Sequence, residues 1–186
     1  SVTRIGNEAF YGCSGLTSIE IPSNVTSIGA EAFRNCSGLT SLKISSGVAS
    51  IENGAFRGCS GLTNINIPKS VTRIERYAFS GCHGLTSIEI PSSVTSIGDN
   101  AFSGCHGLTS INVSRDNTSY SSEKGILYDK NKTTLICTPV AKNGIIEIPS
   151  SVTSIGNGAF YGCSDLTSIK IPKRVTTIES RAFSLC

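Results

Sequence analysis

The chain is a series of 23-residue repeats, and this period limits its fold more than any other feature. One position of the unit holds valine, at Val2, Val25, Val48, Val71, Val94, Val152 and Val175. A second holds every phenylalanine, at Phe10, Phe33, Phe56, Phe79, Phe102, Phe160 and Phe183. A third holds seven of the eight cysteines, at Cys13, Cys36, Cys59, Cys82, Cys105, Cys163 and Cys186. Because one unit is too small to bury a core alone, the units are predicted to stack as coils of a solenoid.

Each unit carries a short strand that ends at a proline or an equivalent residue. Residues 16–21 read LTSIEI, which is the L-x-x-L-x-L spacing of leucine-rich repeats. Alternation predicts that Ile19 and Ile21 face the interior while Ser18 and Glu20 face solvent. The Ala-Phe step is typical of a short helical or 3₁₀ turn. We therefore predict a right-handed, β-rich leucine-rich-repeat solenoid with a parallel sheet on one face and short helical or 3₁₀ turns opposite.

An insert breaks the period between Val94 and Val152. Residues 125–128 (GILY) and 134–137 (TLIC) are apolar runs, and five polar residues separate them. This pattern predicts a β-hairpin with a loop of four or five residues. Since the segment exceeds one period, much of it is expected to project from one edge. The expected organisation is a single domain over 1–186, with coils in 1–113, the insert in 114–143 and coils in 144–186, belonging to a longer protein.

The composition argues against several classes of function. The formal net charge is only +3 with both signs interspersed, which is too little for nucleic acid or an anionic membrane. No apolar run approaches the roughly 18 residues that a membrane span needs. Phosphate-loop, G-x-S-x-G and dinucleotide motifs are missing, so we expect no enzyme and no cofactor. No signal peptide is visible, and a start at Ser1 suggests a mature or excised segment.

The cysteines invite three interpretations. Zinc sites need ligand pairs only a few residues apart, so a 23-residue spacing argues against metal. Disulfides between stacked coils would be strained, because coils about 4.8 Å apart hold their Cβ atoms farther apart than a disulfide prefers. We therefore favour a spine of buried thiols, in which only Cys137 and the terminal Cys186 react with a labelling reagent.

Two further sets of polar residues are weaker signals. His83 and His106 occupy equivalent positions of consecutive coils, but without a third ligand they are expected to be polar corner residues and not a metal site. N-x-S/T sequons stand at Asn24, Asn35, Asn112, Asn117 and Asn131. A chain rich in Ser and Thr produces such triplets by chance, and they matter only in a eukaryotic secretory route.

The outward strand positions form the candidate protein-binding face. They are Ser18, Glu20, Ser41, Lys43, Asn64, Asn66, Ser87, Glu89, Ser110, Asn112, Glu147, Ser168 and Lys170. This face is small, polar and free of aromatic residues, which favours a weak, multivalent protein contact over nucleic acid or sugar. The insert adds the candidate contacts Tyr120, Tyr128, Lys130 and Lys132. The alternatives are that these residues only cover neighbouring coils and that the strand face is merely solvated.

The units CSGLTSIEIP and SVTSIGxxAF, together with the insert GILYDKNKTTLI, resemble BspA-like leucine-rich repeats of bacterial and protist surface proteins. The resemblance covers essentially the whole chain. It implies an extracellular or cell-surface adhesion module that binds host matrix proteins or other cells, with no catalytic residues to carry over. An alternative from another class is a structural segment that stacks end to end or spaces other domains. Its ends offer an uncovered coil and strand edge.

Overall fold

A computed structural model describes residues 1–142 and 145–186. It is a solenoid of eight coils, in which most regular coils have two short strands and not one. The first strands of the coils form one ladder, and the strands of the LTSIEI segments form another. The period of the sequence appears directly in the pairing, since Ser18 lies opposite Ser41 and Ile19 opposite Leu42. The last residue of the expected insert, Asn143, and the first of the following coils, Gly144, lie outside the described residues.

The first ladder is built from the T-S-I segments, which the sequence interpretation did not assign to strands. Five parallel strands form its first part: β1 (Arg4–Ile5), β3 (Ser27–Ile28), β5 (Ser50–Ile51), β6 (Arg73–Ile74) and β8 (Ser96–Ile97). After the insert, β14 (Ser154–Ile155) and β16 (Thr177–Ile178) form at the equivalent positions but belong to a separate sheet. The isoleucine of each strand is buried or half-buried, except Ile178 in the last coil, which is exposed.

The second ladder contains the predicted outward strands but is not one continuous sheet. It consists of three parallel pairs: β2 (Ser18–Glu20) with β4 (Ser41–Lys43), β7 (Ser87–Ile90) with β9 (Ser110–Val113), and β13 (Ile146–Glu147) with β15 (Ile169–Lys170). An isolated bridge joins Lys43 to Asn66. The expected parallel sheet is therefore present but interrupted.

The predicted helical turns at the Ala-Phe step are not confirmed, since the described residues contain no helix. Each corner is a chain of turns in which alternate N–H groups bond within the coil and to the next coil. Tyr11 N donates to Glu8 O at 2.9 Å, for example, whereas Phe10 N donates to Ala32 O at 2.7 Å. The residue before each of the seven repeated cysteines takes a left-handed φ, as at Gly81 (75°), a conformation that glycine adopts without strain.

Phenylalanine fills the interior of the coils. Neighbouring rings from Phe10 to Phe102 stack at centroid distances of 4.9, 5.4, 5.7 and 5.9 Å. Phe33, Phe56 and Phe79 are completely buried. The core forms two clusters that meet at the insert, where Leu127 belongs to the first and Ile126 to the second. The buried core is thus divided at the insert into two clusters, and the repeating ladder of side chains is interrupted there as well.

The insert forms the predicted hairpin but does not project from an edge. Strand β11 (Ile126–Asp129) pairs antiparallel with β12 (Thr134–Cys137) across a four-residue loop, and β10 (Tyr120–Glu123) adds a third strand. Strand β12 then pairs parallel with β14, so the three strands of the insert, β14 and β16 form a second five-stranded sheet. Expecting a projection was wrong, because the apolar residues of the hairpin are needed to cover the coils on both sides.

Hydrogen bonds show how the insert restores the register. Thr153 N donates to Thr133 O over a sequence separation of 20, whereas Thr176 N donates to Thr153 O over a separation of 23. Residues 132–151 are therefore a shortened coil, and residues 117–131 are the added segment. Thr138 takes the phenylalanine position of the shortened coil, since its N–H bonds to Ala159 O as Phe33 N bonds to Ala55 O.

Candidate interaction surface

The outward strand positions are exposed as the alternation predicts. Twelve of the thirteen are exposed: Ser18, Glu20, Ser41, Lys43, Asn64, Asn66, Ser87, Glu89, Asn112, Glu147, Ser168 and Lys170. The exception is Ser110, which is half-buried because the insert turn lies on it. A Cβ added to Gly125 would come within 3.0 Å of Ser110 Cβ. These residues form one polar surface along the second ladder, which we call the strand face.

Opposite charges meet along the strand face. Lys43 Nζ donates to the Glu20 carboxylate of the preceding coil, and Lys124 Nζ donates to Glu147 Oε2 at 3.0 Å. The hydrogen bond from Lys124 to Glu147 raises the pKa of that lysine. Lys124 was missed in the sequence, although it stands one full repeat before Glu147 and so continues the period. Ion pairs this exposed add little stability. Their main effect is therefore to set the order of positive and negative charges along the strand face.

The two tyrosines of the insert serve the fold. Tyr128 is only 1% exposed, and burial raises its pKa to about 12. It therefore cannot contact a partner, which corrects the expectation from sequence. Tyr120 is half-buried, and its Oη accepts a hydrogen bond from Ile97 N at 2.8 Å. That hydroxyl group satisfies an N–H at the edge of β8, and burial raises the pKa of Tyr120.

The two lysines of the insert are engaged but still reach solvent. Lys130 Nζ donates to the carbonyl group of Asn117 and, at 3.4 Å, to that of Arg115. Lys132 forms an ion pair with Glu123, with about a third of its side chain exposed. Both hold the added segment in place, and Lys130 is the more accessible of the two.

Asn117 is a structural residue that the sequence interpretation treated only as a sequon. Its side chain is completely buried. Its Nδ2 donates to Pro91 O at 2.8 Å and to Val94 O at 2.9 Å, while its Oδ1 accepts from the N–H groups of Ser119 and Tyr120. The spacing could have revealed this structural role. Asn117 stands one full repeat after Val94, and the NTSY that begins at Asn117 replaces the VTSI that begins at Val94. The sequon residues Asn24, Asn35, Asn112 and Asn131 are exposed.

The predicted spine of buried thiols is confirmed. All eight cysteines are free, and Cys36, Cys59, Cys82, Cys105 and Cys163 are buried. Most of these thiols donate to the phenylalanine carbonyl group of the preceding coil, as Cys59 Sγ does to Phe33 O at 3.1 Å. Burial raises the pKa of Cys59 to about 12. The thiols thus act as core side chains that also bond neighbouring coils.

Exposure of the remaining cysteines requires one correction. Cys13 is exposed because no coil covers it, and Cys186 is exposed for the same reason at the other end. Cys137 is half-buried, and burial strongly raises its pKa. The expectation that only Cys137 and Cys186 are accessible was therefore wrong, since Cys13 is open and Cys137 is largely shielded.

The histidines lie side by side, as their spacing predicts. The rings of His83 and His106 stack with centroids 5.0 Å apart, and His83 Nδ1 lies 2.8 Å from Gly104 O. Within 1–142 and 145–186, no group of three or more His, Cys, Asp or Glu side chains is placed to hold a metal ion. The same residues include no helix that could cross a membrane.

Comparison with solved structures finds similar solenoids in other leucine-rich-repeat proteins. A leucine-rich cell surface protein from Faecalibacterium prausnitzii is 36% identical over 95% of this chain and 54% of its own, with a TM-score of 0.74. Leucine-rich-repeat proteins from Eubacterium ventriosum (29%, TM-score 0.72) and Bacteroides ovatus (32%, TM-score 0.62) align over 91% and 96% of this chain. The chain covers 51% and 55% of those two proteins, so it spans about half the length of these relatives.

Comparison with curated protein sequences finds no match. The family model described as the BspA type leucine-rich repeat region, however, matches six copies of its repeat in residues 3–125 and 141–186. The break in that match falls within the hairpin and the shortened coil, where the structure departs from the regular period. Because the remaining residues match both the repeat model and the stacked coils, the chain belongs to the BspA-type leucine-rich-repeat family.

Proposed function

We propose that this chain is a non-catalytic interaction module of a cell-surface or secreted protein, and that it binds proteins through the strand face. One observation carries the proposal: a ladder of exposed polar side chains runs along seven coils and recurs once in every repeat. Such a surface suits many weak contacts that add along its length. The cell-surface description of the F. prausnitzii relative supports the location.

The charge order of the strand face favours a protein partner. Glu20, Lys43, Glu89, Lys124 and Glu147 place both signs along one column, so no long-range field attracts a polyanion. Alternating charges instead select a partner whose own charges fit in register. Host matrix proteins and the surfaces of other cells are the partners that we propose for an adhesive role.

A pair of matched variants tests the strand face. Asn66→Arg places a large cation in the middle of the face, and Asn53→Arg makes the same change on another side of the same coil; both asparagines are exposed. Binding is measured by biolayer interferometry on immobilised matrix proteins and by flow cytometry with epithelial cells. We expect at least fivefold weaker binding for Asn66→Arg and no loss for Asn53→Arg. Equal effects, or no binding by the parent chain, would reject the proposal.

The insert contributes the exposed head of Lys130 and the partly exposed Lys132 to the proposed contacts. Replacing loop residues 130–132 by a glycine-rich turn removes both ammonium groups while leaving Tyr128 in the core. If this change leaves the binding of immobilised matrix proteins unaltered, the insert is only packing.

A second candidate function is end-to-end stacking. Large apolar side chains are exposed at the two open faces of the stack, including Val2 (64%), Ile178 (51%) and Leu185 (69%). A second copy could cover them while pairing the free strand edges. Light scattering across a concentration series tests this function, and a strictly monomeric chain at all concentrations would rule it out.

A further inference from the structure

The Ala-Phe corners of the coils form a groove that is separate from the strand face. It is open and has a volume of about 590 Å³. Arg57 and Tyr77 form one wall, and Tyr161 and Arg181 form the other. The floor consists of small residues from the two coils that lie between those of Arg57 and Tyr161, among them Ser80 and Ser103.

The groove exists because the side chains of equivalent corner positions differ in size. In the position after phenylalanine, Arg57 and Tyr161 flank the serines of the two intervening coils. The coils on either side of the insert also meet here, since a Cβ added to Gly158 would lie 2.5 Å from Asn100 Oδ1. The shortened coil contributes no residue at this point, so the two walls face each other across a shallow floor.

Both arginines lack a carboxylate partner among the described residues. Arg34, Arg73 and Arg76 form ion pairs elsewhere, whereas Arg57 and Arg181 form none. No Asp or Glu side chain of the described chain lines the groove. The Arg57 guanidinium lies over the Tyr77 ring, 5.4 Å from its centroid, which holds it in place without neutralising it. The groove is therefore suited to an anionic ligand.

Two wall residues are kept in a backbone conformation that favours glycine. The φ angles of Tyr77 and Arg181 are 57° and 56°, and all regular coils have a left-handed φ at this position, which is glycine at Gly54 and Gly158 and a smaller polar residue at Glu8, Glu31 and Asn100. A tyrosine or an arginine is strained there. Since glycine would relieve this strain, the fold itself does not require these two large side chains.

We propose that this groove binds an extended acidic segment of a partner protein, with two carboxylates spaced to reach Arg57 and Arg181. Four coil steps separate the two arginines, about 20 Å at the spacing of stacked strands. About six residues of extended chain span that distance. One small anion cannot reach both arginines, and a highly sulfated glycan of this length carries far more charge than two arginines neutralise. The tyrosines pack against the peptide between the carboxylates.

Substitutions copied from other coils test the groove without threatening the fold. Arg57→Ser uses the residue of the two floor coils, and Arg181→Gly uses that of Gly54 and Gly158. A control pair, Arg4→Ser with Arg174→Ser, removes the same charge outside the groove and again copies neighbouring coils. Random twelve-residue peptides displayed on phage are selected on the parent chain, and the affinities of the enriched peptides are measured by fluorescence polarisation.

Enriched peptides should carry two acidic residues four to six positions apart. Their binding should fall at least tenfold with the Arg57→Ser/Arg181→Gly pair and less than twofold with the control pair. Tyr77→Gly should weaken binding while leaving the urea midpoint unchanged or higher. Peptides without the acidic pair, or equal binding by both variants, would overturn the proposal. The proposal would also be overturned if a sulfated hexasaccharide binds through these arginines and no acidic peptide does. The strand face shares no residue with the groove, so the two proposals fail independently.

Discussion

The regular coils before the insert and the added segment with its shortened coil both bury a core between neighbouring coils, but they do so with different interactions. In the regular coils one interaction is repeated at each step, such as the stacking of Phe56 on Phe79 at 5.7 Å. At the insert each interaction occurs once, as with the side chain of Asn117 and the hydroxyl group of Tyr120. A repeat solenoid therefore tolerates an interruption when single side chains satisfy the backbone groups that the missing ladder leaves open.

The largest loss of stability is expected for a substitution inside the regular coils. Phe79 is fully buried between the rings of Phe56 and Phe102. Phe79→Ala removes both stacking contacts and leaves a cavity, so the free energy of unfolding should fall by about 3–5 kcal/mol. Urea denaturation followed by circular dichroism measures it. Phe183→Ala is the control, because Phe183 is half-buried and stacks only on Phe160. If both variants lose equal stability, stacking of phenylalanine rings between coils is not the source of the stability lost in Phe79→Ala.

The next effect probes the insert through Asn117. Asn117→Ala removes four hydrogen bonds in a buried site and leaves two carbonyl and two N–H groups without their partner. The free energy of unfolding should fall by about 2–4 kcal/mol, again measured in urea. Asn112→Ala changes an exposed asparagine on the strand face and should stay within about 0.5 kcal/mol.

Asn117→Val separates shape from hydrogen bonding at the same position. Valine is the residue that the regular coils carry there, so it fills the space without bonding the backbone. If Asn117→Val is as stable as the parent chain, the hydrogen bonds of Asn117 contribute no net stability. The proposed difference between the regular coils and the insert would then be wrong.

The sequence predicts the parts of the fold that are repeated. Periodicity identified the inward isoleucines and the buried cysteines, because each of these positions occurs several times in one chain. It missed the first ladder, since T-S-I is too short to be recognised as a strand. It also assigned Tyr128 to a partner, because composition alone does not distinguish a core tyrosine from an exposed one.

The groove could not be predicted from the sequence for a related reason. Tyr77 and Arg181 differ from their equivalents in all other coils, and Arg57 and Tyr161 each share their identity with one other coil, at Arg34 and Tyr11. A search for repeated positions therefore passes over them. Their proximity depends on the insert, which brings together the corners of Asn100 and Gly158 although these stand far apart in the sequence. Only three-dimensional stacking reveals that these exceptions lie on one surface.

A smaller effect concerns the thiols, which distinguish interior coils from end coils. Burial raises the pKa of Cys59, Cys105 and Cys163 to about 12, from an ordinary value of 9.0. A thiol pKa that is higher in the folded state contributes stability below pH 9, and this contribution disappears as the pH rises from 9 toward 12. The urea midpoint should therefore fall over that range, and less so in Cys59→Ala.

Cys13 provides the matched control for the thiols. It occupies the same position of the unit but is exposed, so a labelling reagent should distinguish it from the buried cysteines. In the folded protein at pH 8, a maleimide reagent should modify Cys13 and Cys186 quickly and the five buried cysteines slowly. Rapid modification of all cysteines under native conditions would contradict a closed interior.

The smallest predicted effect is a gain in stability from a substitution in the shortened coil. Thr138 stands where the regular coils place phenylalanine, and it is 2% exposed. Its Oγ1 has no hydrogen-bond partner among the described residues. The backbone at this position follows the regular coils, since Thr138 O faces the Cys163 thiol. The hydroxyl group is therefore the one feature of this residue that the packing does not use.

Thr138→Val keeps the branched shape and removes the unpaired hydroxyl group, so the free energy of unfolding should rise by about 1 kcal/mol. Differential scanning calorimetry and urea denaturation both measure this change. Thr153→Val is the matched control, because Thr153 Oγ1 donates to Thr133 O at 3.3 Å and its loss should give no gain. A drop in stability for Thr138→Val would contradict the prediction. It would mean that the hydroxyl group is solvated in the cavity of about 20 Å³ that it lines, which is large enough for one water molecule.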